Sequence, residues 1–286
     1  MKKISAILVA LILIFTFSAC KAEKPAPDPV PDTTSAEDML STTESPTVRV
    51  TFPEGYTLIE IAERLEENNV CSAADFMALT TDKEYLSTLG YGMLEGIEEA
   101  ENVAYLLEGF VFPDTYDFYK GESAEKALSR FLKNMESKFT EEYRQRAAEL
   151  GYTLSEILTI ASVIQEEASD PDEMPYVASV IHNRLTDPSY GMLQCDVTIH
   201  YVNNCITDSP YLSGDTSSFA EHYNTYKCKG LPAGPICNPG INAIRAALYP
   251  AQTNYFFFVT DAEWNYYYAE TYSEHQKNCK AVGING

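Results

Sequence analysis

The sequence predicts an α+β fold, and three observations point to it. Apolar residues recur at helical spacing through the middle of the chain, in stretches such as "LIEIAERL", "AEKALSRFL" and "EILTIASVI". Short alternating or aromatic runs near both ends, "VRVTF" and "YFFFVT", have the period of strands. After residue 190 Gly, Asn, Pro and Tyr accumulate, and loops are expected to dominate there. There is no internal repeat and no glycine-rich phosphate loop.

The elements follow in order. Met1-Lys2-Lys3 is a short basic opening, and Ile4 to Phe17 is apolar but short for a bilayer span. The run ends in "FSAC", which resembles a bacterial lipobox with Cys20 as the lipidated residue. An ordinary signal peptide and an uncleaved anchor stay open as alternatives, and all three imply export. Residues 21–47 are rich in Pro, Thr, Ser and acids and read as a disordered tether. Val48 to Phe52 alternates like a strand, Pro53-Glu54-Gly55 turns, and Thr57 caps a helix carrying Leu58, Ile61, Ala62 and Leu65 on one face. A short helix over 72–79 follows. This strand–helix–helix start resembles a small LysM-like remnant, assigned to 48–108.

The second domain, 109–286, opens with an expected strand at Phe110–Phe112 and a Pro113-Asp114 turn. An amphipathic helix from Glu122, another over Glu141–Leu150, a third behind a Thr153…Glu156 capping box and a fourth in "MPYVASVIHNRL" come next. A helix at Ile241–Tyr249 and strands at Tyr255–Thr260 and Tyr266–Ala269 complete the reading.

The formal charge of −22 argues against a nucleic-acid partner, which needs a basic footprint. It also disfavours tight docking on an anionic membrane or wall polymer. Besides Cys20 there are Cys71, Cys195, Cys205, Cys228, Cys237 and Cys279, with no C-x-x-C spacing, so no metal and no cofactor is expected. Free thiols and disulfides are both open.

"IASVIQEEAS" carries the chemistry. At about 100° per residue Glu166 projects away from the arc formed by Ile157, Ile160, Ala161 and Ile164, into water, whereas Glu167 falls within it. A carboxyl so placed has its ionised form disfavoured and stays protonated to higher pH, as a general acid must. A polar cluster that merely ends the helix is the plainer reading of the same Glu.

"ASVIQEEAS", "VASVIHNRL", "MLQCDVTIHY", "YNTYKCKGLPAGPICNPG" and "LEGFVFPDTYDFY" taken together resemble the YceG/MltG-like endolytic murein transglycosylases, over residues 48–286. The resemblance implies internal cleavage of peptidoglycan glycan strands at the outer face of the membrane, with peptidoglycan synthases as candidate partners. It places Glu167 at the catalytic position and Gln194, Asp196, Asn224, Tyr226 and Asn183 as substrate-binding groups. Asn183 with Arg184 has a second reading as a helix end, Asp196 as a turn cap, and Phe112, Tyr116 and Tyr119 as core rather than sugar-stacking rings. The Pro-rich loop at 230–240 is a cleft wall or a structural loop. Cys195 and Cys237 stand in two motif blocks that the resemblance places at the cleft, which makes a bridge between them the expectation, against six reduced thiols. One glutamate suffices for a lytic transglycosylase, because the sugar's own C6 hydroxyl replaces water. The alternatives are a non-catalytic wall-binding protein, a two-carboxylate hydrolase using Asp196 or Glu166, and a Cys-His peptidase.

Overall fold

A computed structural model describes residues 46–284. The apolar leader, Cys20 and all but the last two residues of the tether lie outside the described residues. Thr47–Thr51 form strand β1, which pairs antiparallel with β2, Thr115–Tyr119. Val50 faces Tyr116 and Val48 faces Phe118, so the period-2 pattern of both strands turns one side inward. Between the strands run helices α1 (Leu58–Glu67), α2 (Ala73–Leu79) and α3 (Lys83–Ser87). Thr57 and Glu60 close a capping box, and Leu58, Ile61, Ala62 and Leu65 are buried as their spacing requires. One sheet therefore takes a strand from each side of residue 108.

The strand expected at Phe110–Phe112 is not formed. All three residues are buried in succession, with no alternation, and the Val111 N–H donates to the Asn238 side chain rather than to a ladder. Gly109 precedes them at φ +84°, and a Cβ there would meet Pro235 at 2.6 Å, so only glycine allows the 230–240 loop to pack so close.

Helix α4 (Ala124–Lys138) presents Ala127, Leu128, Phe131 and Leu132 to the core. Phe131 meets Phe52, Tyr116 and Phe118 there, in tilted and edge-on contacts with centroids 4.5–5.7 Å apart. Tyr116 and Phe112 are thus core residues. Helix α5 (Glu141–Leu150) leads through Gly151 to α6 (Leu154–Glu167), whose capping box joins Thr153 and Glu156 as expected. α7 (Met174–Thr186) packs beside α6.

The region after residue 190 holds more helix than expected: besides α10 (Ile241–Leu248), which forms where it was expected, it contains α8 (Asp196–Tyr201), α9 (Ser217–Tyr223) and α11 (Tyr272–Ala281). α10 lies along α6, and together with α7 it leaves residues 157–164 of α6 buried on every side. The helix therefore has no wet face over that stretch, where an arc was expected. Strands β3 (Phe257–Thr260) and β4 (Tyr266–Ala269) form an antiparallel hairpin. Among the described residues no single helix is long and apolar enough to cross a membrane.

All six described cysteines are free thiols, so the expected Cys195–Cys237 bridge is not formed. Cys195 points toward Glu167 and the Leu193 carbonyl, whereas Cys237 points toward Glu166 and the Ser162 carbonyl. The two thiols serve different neighbours at the end of α6.

Candidate active site

Helix α6 stops at Glu167, where Ala168 turns into extended backbone and Tyr266 of β4 donates its hydroxyl to the Glu167 carbonyl, 2.9 Å. That end opens into a cavity of about 300 Å³. Glu167, Arg184, Gln194, Cys195, Asp196 and Tyr226 supply much of its polar wall, and Phe258 and Val259 of β3 with His275 of α11 close the other side.

Arg184 projects from the last turn of α7, with Val180 and Ile181 on the same helical face. Its Nε donates to the Phe256 carbonyl at 2.6 Å and its Nη1 to the Leu193 carbonyl, and the guanidinium lies 5.0 Å over the Phe257 ring. A fixed positive charge is thereby held at the cavity wall. Gln194 adopts φ +56°, a left-handed conformation, and its N–H donates to the Thr225 carbonyl at 3.1 Å. The Thr225 hydroxyl accepts from the Cys195 N–H at 2.9 Å and lies 3.0 Å from the Thr198 hydroxyl. Thr225 is fully buried, and through it the blocks 193–198 and 224–226 are locked together. Tyr226 donates its hydroxyl to Asp196 Oδ1 at 2.6 Å, a short charge-assisted bond between two residues that line the cavity.

Burial pushes the Glu167 carboxyl up to about 7, helped by the like charges of Asp196 and Glu166 and restrained by the Arg184 guanidinium and the Cys195 thiol. A carboxyl balanced there is protonated or ionised with little cost in either direction near neutral pH. Glu166 is exposed, as its helical phase predicts, yet its carboxylate is partly desolvated and raised above the ordinary range, beside Gly55 and the Cys237 thiol. It lines a separate cavity of about 290 Å³ with Thr57, Glu60 and His200.

Of the residues read from the sequence, Glu167, Gln194, Asp196 and Tyr226 meet in one cavity. Asn224 and Asn183 do not line it. Asn224 accepts the Tyr226 N–H on its Oδ1 and shapes the turn that delivers Tyr226, while Asn183 donates to the carbonyls of Thr253 and Tyr255 and anchors the approach to β3. Tyr119 is exposed at a different surface. The Pro-rich loop is structural: Asn238 is buried, accepts from Val111 N–H, and donates to Tyr56 and Glu108. Its neighbour Gly240 donates to Gln165 of α6. The sequence reading missed Thr225 and the contribution of α11. The helical spacing of Val180, Ile181 and Arg184 was a usable signal for the Arg184 wall. Among the described residues no group of three or more His, Cys, Asp or Glu side chains is placed to hold a metal ion.

An α+β body whose central helix ends in a carboxyl poised near neutrality, within a partly polar cavity, defines the structural class. The comparisons narrow the class: the YceG-like family model matches residues 29–281, and the chain belongs to that family. An endolytic murein transglycosylase of Bacillus subtilis is 28% identical over 233 residues, covering 80% of this chain and 63% of the relative. One from Streptococcus pneumoniae is 29% identical over 242 residues, covering 80% and 43%. The chain thus spans less than two thirds of either relative's length. The crystal structure of a YceG-like protein from Listeria monocytogenes superposes with a TM-score of 0.65 at 30% identity, covering 80% of this chain and 74% of that one.

Proposed function

We propose that the chain is an endolytic peptidoglycan lytic transglycosylase that cuts the MurNAc–GlcNAc bond and leaves 1,6-anhydro-MurNAc ends. The observation that carries this reading is the Glu167 carboxyl, raised to about 7 in a cavity shared with Gln194, Asp196, Arg184 and Tyr226. The names of the relatives support the same substrate.

In the first half of the reaction Glu167 gives its proton to the glycosidic oxygen as the C1–O bond breaks. Positive charge then develops at C1, and the Asp196 carboxylate, held by Tyr226, lies in the same cavity to offset it. In the second half the Glu167 carboxylate takes the proton of the C6 hydroxyl while that oxygen bonds to C1. The acid returns to its starting state and no water is consumed. A carboxyl near 7 suits both halves, because a much stronger acid is a poor base and a much weaker one does not let go of its proton.

A second reading has one specific observation in its favour. Asp196 and Glu167 share the cavity, as a two-carboxylate hydrolase requires. Digesting murein sacculi with the purified chain and resolving the products by mass spectrometry separates the readings. Anhydro ends support the transglycosylase, reducing ends carrying oxygen from labelled water support the hydrolase, and intact sacculi overturn both. The proposed setting is the outer face of the cell membrane, with Cys20 lipidated, the β1–α1–α2 start as a LysM-like element and peptidoglycan synthases nearby. Cys20→Ser is expected to release the protein from membranes; unchanged association without a lipid adduct means an uncleaved helix instead.

A further inference from the structure

The β3–β4 hairpin reaches from the cavity, where Phe258 and Val259 form wall, to a turn carrying the only tryptophan of the sequence, Trp264. Trp264 is 68% exposed, more than any other large hydrophobic side chain among the described residues. Its φ is +64°, in the left-handed region that a bulky side chain seldom enters. Such a conformation persists only where the surroundings over-determine it. Here they do. The Asp261 carboxylate accepts from the N–H groups of Glu263 and Asn265, the Asn265 amide and the Tyr267 hydroxyl, all at 2.9–3.0 Å, and the Trp264 N–H donates to the Asp261 carbonyl. The indole is thus held out in water by a rigid turn.

Its partner is constrained by what stands beside it. Asp261 and Glu263 stand in the same turn as the indole, and the chain carries −22 overall. Anionic lipid headgroups and phosphates are repelled by that surface, whereas an uncharged sugar ring, with its flat C–H face, stacks on an indole without needing a cation. Trp264 lies five positions beyond Val259, a contour of at most about 18 Å. A glycan strand leaving the cavity along the hairpin therefore meets the indole within a few sugars.

We propose that Trp264 is a distal sugar platform, stacking on a pyranose of the glycan strand outside the cleavage point and favouring long strands over short ones. This rests on the glycan-cleaving reading of the cavity. Because the chain has one tryptophan, its own emission reports the contact. Glu167→Gln protein is titrated with soluble, uncrosslinked peptidoglycan strands of two length classes, and wild-type cleavage of both classes is measured in parallel. A saturable blue shift with long strands, absent with tetrasaccharide fragments, is expected. Trp264→Gly suits the left-handed backbone, so it should melt no lower than wild type. It should nevertheless lose roughly threefold to tenfold in kcat/KM on long strands while cleaving short fragments at the wild-type rate. Trp264→Phe should recover part of that loss. Cleavage of long strands by wild type with no change in emission, or equal kcat/KM for Trp264→Gly on both lengths, overturns the platform and leaves the cavity reading intact. Absence of cleavage by wild type overturns the cavity reading, and the platform with it. A blue shift on vesicles of phosphatidylcholine or phosphatidylglycerol, without one on strands, makes the hairpin a membrane contact and overturns the sugar assignment.

Discussion

Glu166 and Glu167 are identical in chemistry and adjacent in the chain, and their environments separate them. Glu167 shares a cavity with Arg184 and Asp196; Glu166 shares another with Glu60 and His200. Glu167→Gln is expected to abolish glycan cleavage with an unchanged circular dichroism spectrum, while Glu166→Gln retains most activity, since its carboxylate faces the other cavity. The reverse pattern in a sacculus digest would exchange the two roles. The proton-donating half of the reaction needs Glu167 protonated, so the rate should fall as pH rises through about 7. Asp196 is one of the charges that raise Glu167, so Asp196→Asn should move this alkaline limb to lower pH as well as slow the reaction. A pH–rate profile on defined strands measures both effects. The sequence pointed to Glu167 over Glu166 through helical phase and the family resemblance, and the phase by itself was a weak guide, because residues 157–164 are buried all round. The residues at the helix end are distinguished by what lies beyond it, and neighbours brought from positions 184, 196 and 226 leave no trace in a local period.

Elements with a strong local signal were legible: the Thr57 cap, the Thr153 capping box, the apolar faces of α1 and α4, and, to within two residues, the strands β3 and β4 stand where the sequence puts them. The missed helices lack that signal for physical reasons. α8 has six residues, too few to show a period, and α11 has no buried residue and hence no apolar face, although Thr271 and Glu274 form a capping box at its start. Phe110–Phe112 looked like a strand because three apolar residues in a row fit any buried backbone; only the side chain of Asn238 reveals which one. At this scale Thr225 is the decisive joint, since one buried hydroxyl ties α8 to the turn that carries Tyr226. Thr225→Val keeps the volume but leaves the Cys195 N–H without its partner, and is expected to cost about 1–3 kcal/mol in urea unfolding. It should also lower activity more than a surface substitution of equal stability cost, because Gln194 and Asp196 lose their register against Tyr226.

Across the whole molecule, Glu108 is the buried meeting point of segments far apart in the sequence. Its carboxyl accepts from the Leu58 N–H at the start of α1, the Tyr201 hydroxyl of α8 and the Asn238 side chain. Burial raises it to about 8, against the opposing pull of these donors. A carboxyl raised on folding makes the folded chain bind more protons than the unfolded one. Its contribution is therefore complete below the ordinary value of 4.5 and is lost as pH climbs through about 8. Glu167 acts with the same sign around 7. The melting temperature should accordingly decline from pH 6 to pH 9, and Glu108→Gln should flatten that decline. The aromatic cluster is a second support, and Phe131→Ala, which opens a hole among Phe52, Tyr116 and Phe118, should cost about 3–5 kcal/mol. The encasement of α6 has a consequence for how the molecule fails. A helix walled in on all sides exchanges its amide hydrogens only when everything around it opens, so the 157–164 amides should rank among the slowest to take up deuterium. The backbone carrying Glu167 is then no looser than the fold itself. On heating, catalytic activity and near-ultraviolet dichroism should vanish in one transition, with no inactive but folded species between them.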